Sequence, residues 1–178
     1  MRRKMKTDLF RLEIEKGIAN IWIDSKKDRM NIVSPSLIGD FEKVFNEIEN
    51  NKEVIGAILI SGKKDFIAGA DIKSFKGEKV GDFQPFSRKG HKLLQKIENS
   101  KKPIVSAIHG TCYGLGVELS IACNARVCSN DSKTKLALPE VKLGLLPGGG
   151  GTQRLPRLVG LQASLDIMLT GKNIFPFK

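Results

Sequence analysis

The order of apolar and polar residues predicts a chain of alternating strands and helices. FRLEIEKGIANIWID alternates on both sides of Gly17 and predicts a β-hairpin over 10–15 and 18–23. Residues 24–33 are polar and predict a loop. Ser34-Pro35 then opens a helix, with Ser34 as its cap and Pro35 in the first turn. Leu37, Ile38, Phe41, Val44, Phe45 and Ile48 hold helical spacing to about Asn50. VIGAILIS and IVSAIHG are short continuous apolar runs, the pattern of strands covered on both faces, and ARVCS is expected to be a third. A helix is predicted over 84–99, another from Val117 to about Cys123 after Gly114 and Gly116, and a last one over 161–170. Leu136–Leu138 fits a short strand. Residues 76–83 are polar and glycine-bearing, an expected mobile excursion. Strands alternating with helices define the α/β class with crossover connections. At 178 residues the chain reads as one domain, 1–178, able to bury a core without staples.

Charge changes this picture less than its size suggests. Thirty basic and 19 acidic residues give +11, which invites a nucleic-acid partner. The first 99 residues, however, interleave their charges, and the few aromatics do not alternate with basic positions as a stacking platform would. No nucleic acid is therefore expected, and an anionic small ligand fits the charge as well. No apolar run approaches a membrane span. MRRKMK is basic, but no apolar stretch follows it as in an export signal. With three cysteines (Cys112, Cys123, Cys128) lacking any CxxC pair, and only His91 and His109, neither zinc nor a disulfide framework is expected. The cysteines read as small buried residues of a cytoplasmic protein.

Chemistry concentrates in three glycine-bearing loops and two acids. Five of the eight residues from Gly144 to Gly151 are glycine, yet Thr152-Gln153 follow where a phosphate loop needs Lys and then Ser or Thr. GLGVEL at 114–119 lacks the third glycine of a dinucleotide fingerprint. These loops precede helices, and AGAD at 68–71 has the same small-residue character. Helix starts carry N–H groups without partners, and two N–H groups from separate loops can hold one oxyanion. The same glycines also fit tight turns and close packing. After Ser100 the only acids are Glu118, Asp131, Glu140 and Asp166. Glu118 and Glu140, on either side of ARVCS, fit a pair of carboxylates around one water. They equally fit a helix-start acid and a surface ion pair.

FIAGADI, AIHGTCYGLGVELSIAC and LPEVKLGLLPGGGGTQRLPRLVG, in that order and spacing, resemble the crotonase (enoyl-CoA hydratase/isomerase) superfamily. Within it the chain is most similar to the N-terminal hydratase domains of bacterial fatty-acid oxidation complexes. The resemblance implies a fold of repeated ββα units, an acyl-CoA substrate and no cofactor beyond the coenzyme A of that substrate. It implies a trimer-based homo-oligomer, or membership of a fatty-acid oxidation complex. The backbone N–H groups of Ala70 and Leu115 would form the oxyanion hole, with Glu118 and Glu140 as the catalytic carboxylates, the first deprotonating the water and the second supplying a proton. Ala68, Gly69, Asp71, Ile72, Lys73, Gly114, Gly116, Pro147 and Gly148 would line the substrate and its CoA. Two glutamates point to hydration of a trans-2-enoyl-CoA. Isomerase-type members commonly keep only the second, so Δ3–Δ2 isomerisation, or another crotonase reaction on an acyl-CoA, is the alternative. Leu115 departs from the glycine usual there. Family domains also continue past the LTGK motif, so the chain is expected to be a domain truncated at its C-terminus, without a dehydrogenase domain. A fragment that binds acyl-CoA or a partner subunit without turnover is the third expectation.

Overall fold

The hairpin forms as the alternation predicts: β2 (Phe10–Glu15) and β3 (Ile18–Ile23) pair antiparallel, Phe10 opposite Ile23. The computed structural model describes residues 3–26, 28–75 and 83–176. A strand not expected from the basic start, β1 (Arg3–Lys6), adds to the outer side of β2. Met5 packs on the core from this edge, while Lys4 lies 3.6 Å from Glu13.

From β3 onward the chain repeats one unit four times. Its first strand joins the main sheet, its second joins a small ribbon, and helical structure follows. The first repeat is β3, β4 (Ile32–Val33) and α1 (Ile38–Asn50). The second is β5 (Gly56–Ser61), β6 (Gly69–Ala70) and α2 (Phe83–Glu98). The third is β7 (Ile104–Ile108), β8 (Thr111–Tyr113) and α3 (Leu115–Ala122). The fourth is β9 (Ala125–Cys128), β10 (Lys135–Ala137) and a 3-10 turn (Pro139–Leu143), then α4 (Gly151–Val159) and α5 (Leu161–Thr170). The main sheet has six strands in the order β1-β2-β3-β5-β7-β9, parallel from β3 onward. The ribbon pairs β4 with β6 and β8 with β10, bridged by Ile67 and Cys112.

The helices form where apolar spacing places a stripe against the sheet. Ile38, Phe41, Val44, Phe45 and Ile48 of α1 are buried, and Phe41 meets Phe10 edge-on at 4.4 Å between ring centroids. Each such side chain contributes about 1.5–3 kcal/mol by leaving water. α3 is apolar around its circumference and sits centrally, burying Gly116, Val117, Leu119, Ser120 and Ala122 along with Glu118.

Three local expectations need correction. Ser34 makes no side-chain cap bond, because Pro35–Leu37 forms a 3-10 turn before α1 starts. α3 begins at Leu115, so Gly116 is inside the helix rather than ahead of it. ARVCS is not a covered strand: β9 is the edge of the sheet, with Val127 and Cys128 exposed. Only Cys112 and Cys123 are the expected buried small residues, and burial pushes both thiols up to about 12. The predicted excursion at 76–83 lies almost entirely outside the described residues. Among those residues no helix is long and apolar enough to cross a membrane.

Candidate active site

The second strand of each unit ends at one place, and the candidate residues lie on the turns that leave those ends. Ala70 closes β6, and Asp71 follows it, donating to the Val33 carbonyl at 3.0 Å. Ala68 donates to the Asn31 carbonyl at 2.9 Å. Asn31 is fully buried and its amide nitrogen donates to the carbonyls of Ile23 and Phe66 and to Ser61 Oγ. One polar side chain thus ties the Phe66–Ala70 segment to the main sheet.

The neighbouring loop is built the same way. Tyr113 donates to the Ile67 carbonyl at 2.9 Å and Gly114 to the Ala137 carbonyl at 2.9 Å. Leu115 is the first residue of α3, where N–H groups have no acceptor within the helix. The loops of Ala70 and Leu115 touch: a Cβ on Gly114 would stand 3.9 Å from Gly69 Cα. Gly114 has φ +52° and Gly69 φ +122°, conformations that favour glycine. Gly116 permits the contact between α3 and the β6 segment. A Cβ there would lie 2.8 Å from Ile67 Cβ and 2.9 Å from the Ile67 carbonyl oxygen. Gly116→Ala is expected to destabilise the fold by about 1–3 kcal/mol, read as a lowered denaturation midpoint.

The two carboxylates occupy different environments on either side of these loops. Glu118, in the first turn of α3, is 2 % exposed. Its Oε1 accepts from Gly149 N–H at 2.7 Å and Gly151 N–H at 2.8 Å. Burial pushes its pKa up, while these two N–H groups and the Arg154 charge pull it down. Glu140, in the 3-10 turn after β10, has a buried Oε2 with no hydrogen-bond partner among the described residues. Its Oε1 faces Gly114, 3.1 Å from where a Cβ would be. Burial, joined by the nearby Glu118 charge, raises it to about 7. Glu118 does sit at a helix start, as the local pattern also allowed, but it is buried and held by the glycine turn, and Glu140 is not a surface ion pair.

The other expected residues fall around this centre. Gly148 is exposed, and Pro147 is buried, its Cβ 3.1 Å from where Gly151 would carry one. Ile72 is 48 % exposed in a 3-10 turn (Ile72–Phe75) directly after Ala70 and Asp71. Lys73 belongs to that turn, and its side chain lies outside the described residues. The Leu115 side chain turns back onto Gly149, its Cδ1 2.9 Å from where a Cβ would be. Sequence reasoning missed Gly149 and Gly151 as the holders of Glu118. The run of four glycines signalled a backbone-lined loop, but the carboxylate it serves is more than 30 residues away. Among the described residues no group of three or more His, Cys, Asp or Glu side chains is placed to hold a metal.

Repeated ββα units with two carboxylates beside touching backbone loops define a crotonase-type fold. The family model for enoyl-CoA hydratase/isomerase matches residues 13–176, and the chain belongs to that family. It is 49 % identical over 164 residues to the fatty acid oxidation complex subunit alpha of Shewanella sp. (strain ANA-3), covering 91 % of this chain and 23 % of that protein. The corresponding subunit of Shewanella putrefaciens is 50 % identical over 162 residues, covering 90 % of this chain and 23 % of the relative. The chain therefore spans about a quarter of the length of these curated relatives. Among solved structures, a Geobacillus kaustophilus enoyl-CoA hydratase superposes with a TM-score of 0.93 at 30 % identity, covering 99 % of this chain and 66 % of that one. A Bacillus anthracis enoyl-CoA hydratase gives 0.85 at 27 % identity, covering 93 % and 64 %.

Proposed function

We propose that this chain catalyses syn addition of water to a trans-2-enoyl-CoA, giving the 3-hydroxyacyl-CoA of fatty-acid β-oxidation. The observation that carries this is the unequal pair of carboxylates. Glu118 Oε1 is occupied by two backbone donors, which leaves Oε2 to orient and deprotonate a water. Glu140 is poised near neutrality, so it can carry a proton to Cα of the substrate. The N–H groups of Ala70 and Leu115 would hold the thioester oxygen as negative charge develops on it. Ala68, Asp71, Ile72 and Lys73 would run along the CoA, whose phosphates suit a chain of net charge +11. No cofactor takes part beyond the coenzyme A of the substrate. The names of the Shewanella relatives support a place within a fatty-acid oxidation complex.

Hydration in this scheme needs Glu140 protonated. The value of kcat/KM for crotonyl-CoA hydration should therefore fall as pH rises through about 7. Loss of the enoyl-thioester absorbance followed across pH measures this. A rate that keeps rising well past that pH would remove Glu140 as the proton donor.

A further inference from the structure

Arg154 takes no part in the chemistry just described, yet it is the side chain best placed to control it. It sits on α4 with its side chain 13 % exposed. Its Nε and Nη2 both donate to Glu98 Oε2 on α2, at 3.1 and 2.9 Å. Its Nη1 donates to the Gly149 carbonyl at 3.2 Å. Gly149 is the same residue whose N–H holds Glu118 Oε1. The glycine turn is thus gripped at its carbonyl by Arg154 and presents its N–H to the buried acid. Gly150 must be glycine for the grip to close: its φ is +99°, and a Cβ would fall 2.4 Å from Arg154 Nη1. A planar guanidinium can serve the carboxylate and the carbonyl at once, which a lysine ammonium cannot match in geometry.

We propose that Arg154 is a positioning residue that clamps the Gly149–Gly151 turn to α2 through Glu98 and so sets how Glu118 faces the reacting water. The role of that water rests on the hydratase proposal; the clamp itself does not. Glu140 faces Glu118 from the 3-10 turn. His91 and Glu98 of α2, Cys123 after α3, Arg126 of β9 and Arg157 of α4 share with Arg154 the wall of an open cavity of about 460 Å³. The Arg154 charge opposes the burial that raises Glu118. Removing it must move the Glu118 titration to higher pH.

The test has a readout independent of turnover. In the full chain labelled with 13C-glutamate, the Glu118 carboxyl signal is assigned by its loss in Glu118→Gln and then titrated. The midpoint is expected to rise in Arg154→Gln and to stay closer to wild type in Arg154→Lys. With crotonyl-CoA, kcat of Arg154→Gln should fall on the order of tenfold or more, with KM within about a factor of two. Because the cavity is open, guanidinium ion at millimolar levels should restore part of the rate of Arg154→Ala. An unmoved Glu118 midpoint in Arg154→Gln overturns the clamp, whatever the rate does. A midpoint that moves in Arg154→Gln and moves part-way in Arg154→Lys, which keeps the charge but not the planar fork, keeps the clamp even in a chain that hydrates no enoyl-CoA, and overturns the hydratase proposal instead. Should Arg154→Gln fail to fold, Glu98→Gln decides, since it alters only the half-exposed end of the pair. A lowered kcat there supports the clamp and an unchanged one overturns it.

Discussion

Glu140→Gln is expected to lower crotonyl-CoA hydration by about 10²-fold or more, the scale of a lost general acid. The substitution keeps the size and one polar face of the side chain, so binding of the thioester should persist while kcat collapses. A second effect separates loss of chemistry from damage to the fold. The Glu140 carboxyl titrates at about 7 in the folded chain against an ordinary 4.5. Between those values the folded state holds a proton that the unfolded state has released. Its stabilising share is therefore complete below the ordinary value and is lost as pH rises through the folded one. Wild type pays for a buried charge above about pH 7, and the glutamine variant does not. Thermal denaturation at about pH 8 should show Glu140→Gln melting higher than wild type, with the difference shrinking toward about pH 4.5. A variant both inactive and less stable at the alkaline pH would mean that Glu140 supports the fold rather than the reaction.

Gly149→Ala should be nearly as costly, although it touches no substrate. The new methyl would stand 2.6 Å from Glu118 Oε2 and 2.9 Å from Leu115 Cδ1. Both neighbours belong to the buried helix α3 and have little room to withdraw. The carboxylate must rotate, losing the orientation that the proposed hydration needs and straining the bond from the Gly149 N–H. A displacement of that size at a reacting group costs on the order of 10²-fold in rate. Gly39→Ala in α1, where nothing lies within 4 Å of the added carbon, is the matched control and should leave kcat unaltered. Equal rates in the two variants would show that the fit of the glycine turn against Glu118 does not matter for turnover.

The repeating order of strand and helix was legible because each unit writes its own local signature. The alternation of FRLEIE and IANIWI and the helical spacing from Ile38 to Ile48 are read within a dozen residues; the hairpin forms at the expected bounds, and the helix ends where expected but starts at Ile38, after a 3-10 turn. The small-residue character of AGAD, GLG and GGGG was legible for the same reason, although Gly69–Ala70 forms strand β6 and Leu115–Gly116 already belong to α3. What was not legible depends on distant partners. The basic segment Arg3–Lys6 becomes a strand only because β2 offers it an edge. ARVCS has the apolar content of a covered strand but lands at the rim of the sheet, where nothing among the described residues covers Val127. Gly116 carries no sign that Ile67 presses on it. Glu118 looked like any first-turn acid until the fold brought Gly149 and Gly151 to it. Glu140 looked like a surface residue until burial without a partner for Oε2 raised its titration. Residue types at the site were thus written locally, and their protonation states were set by tertiary contacts.

The most direct measurement is the fate of crotonyl-CoA incubated with the chain in D₂O. A hydratase with Glu140 as proton donor yields 3-hydroxybutyryl-CoA carrying one deuterium at Cα, placed on the same face as the new hydroxyl, and Glu140→Gln yields almost none. Crotonyl-CoA that is bound but recovered unchanged, or product labelled at Cα without regard to face, would contradict the proposed hydration.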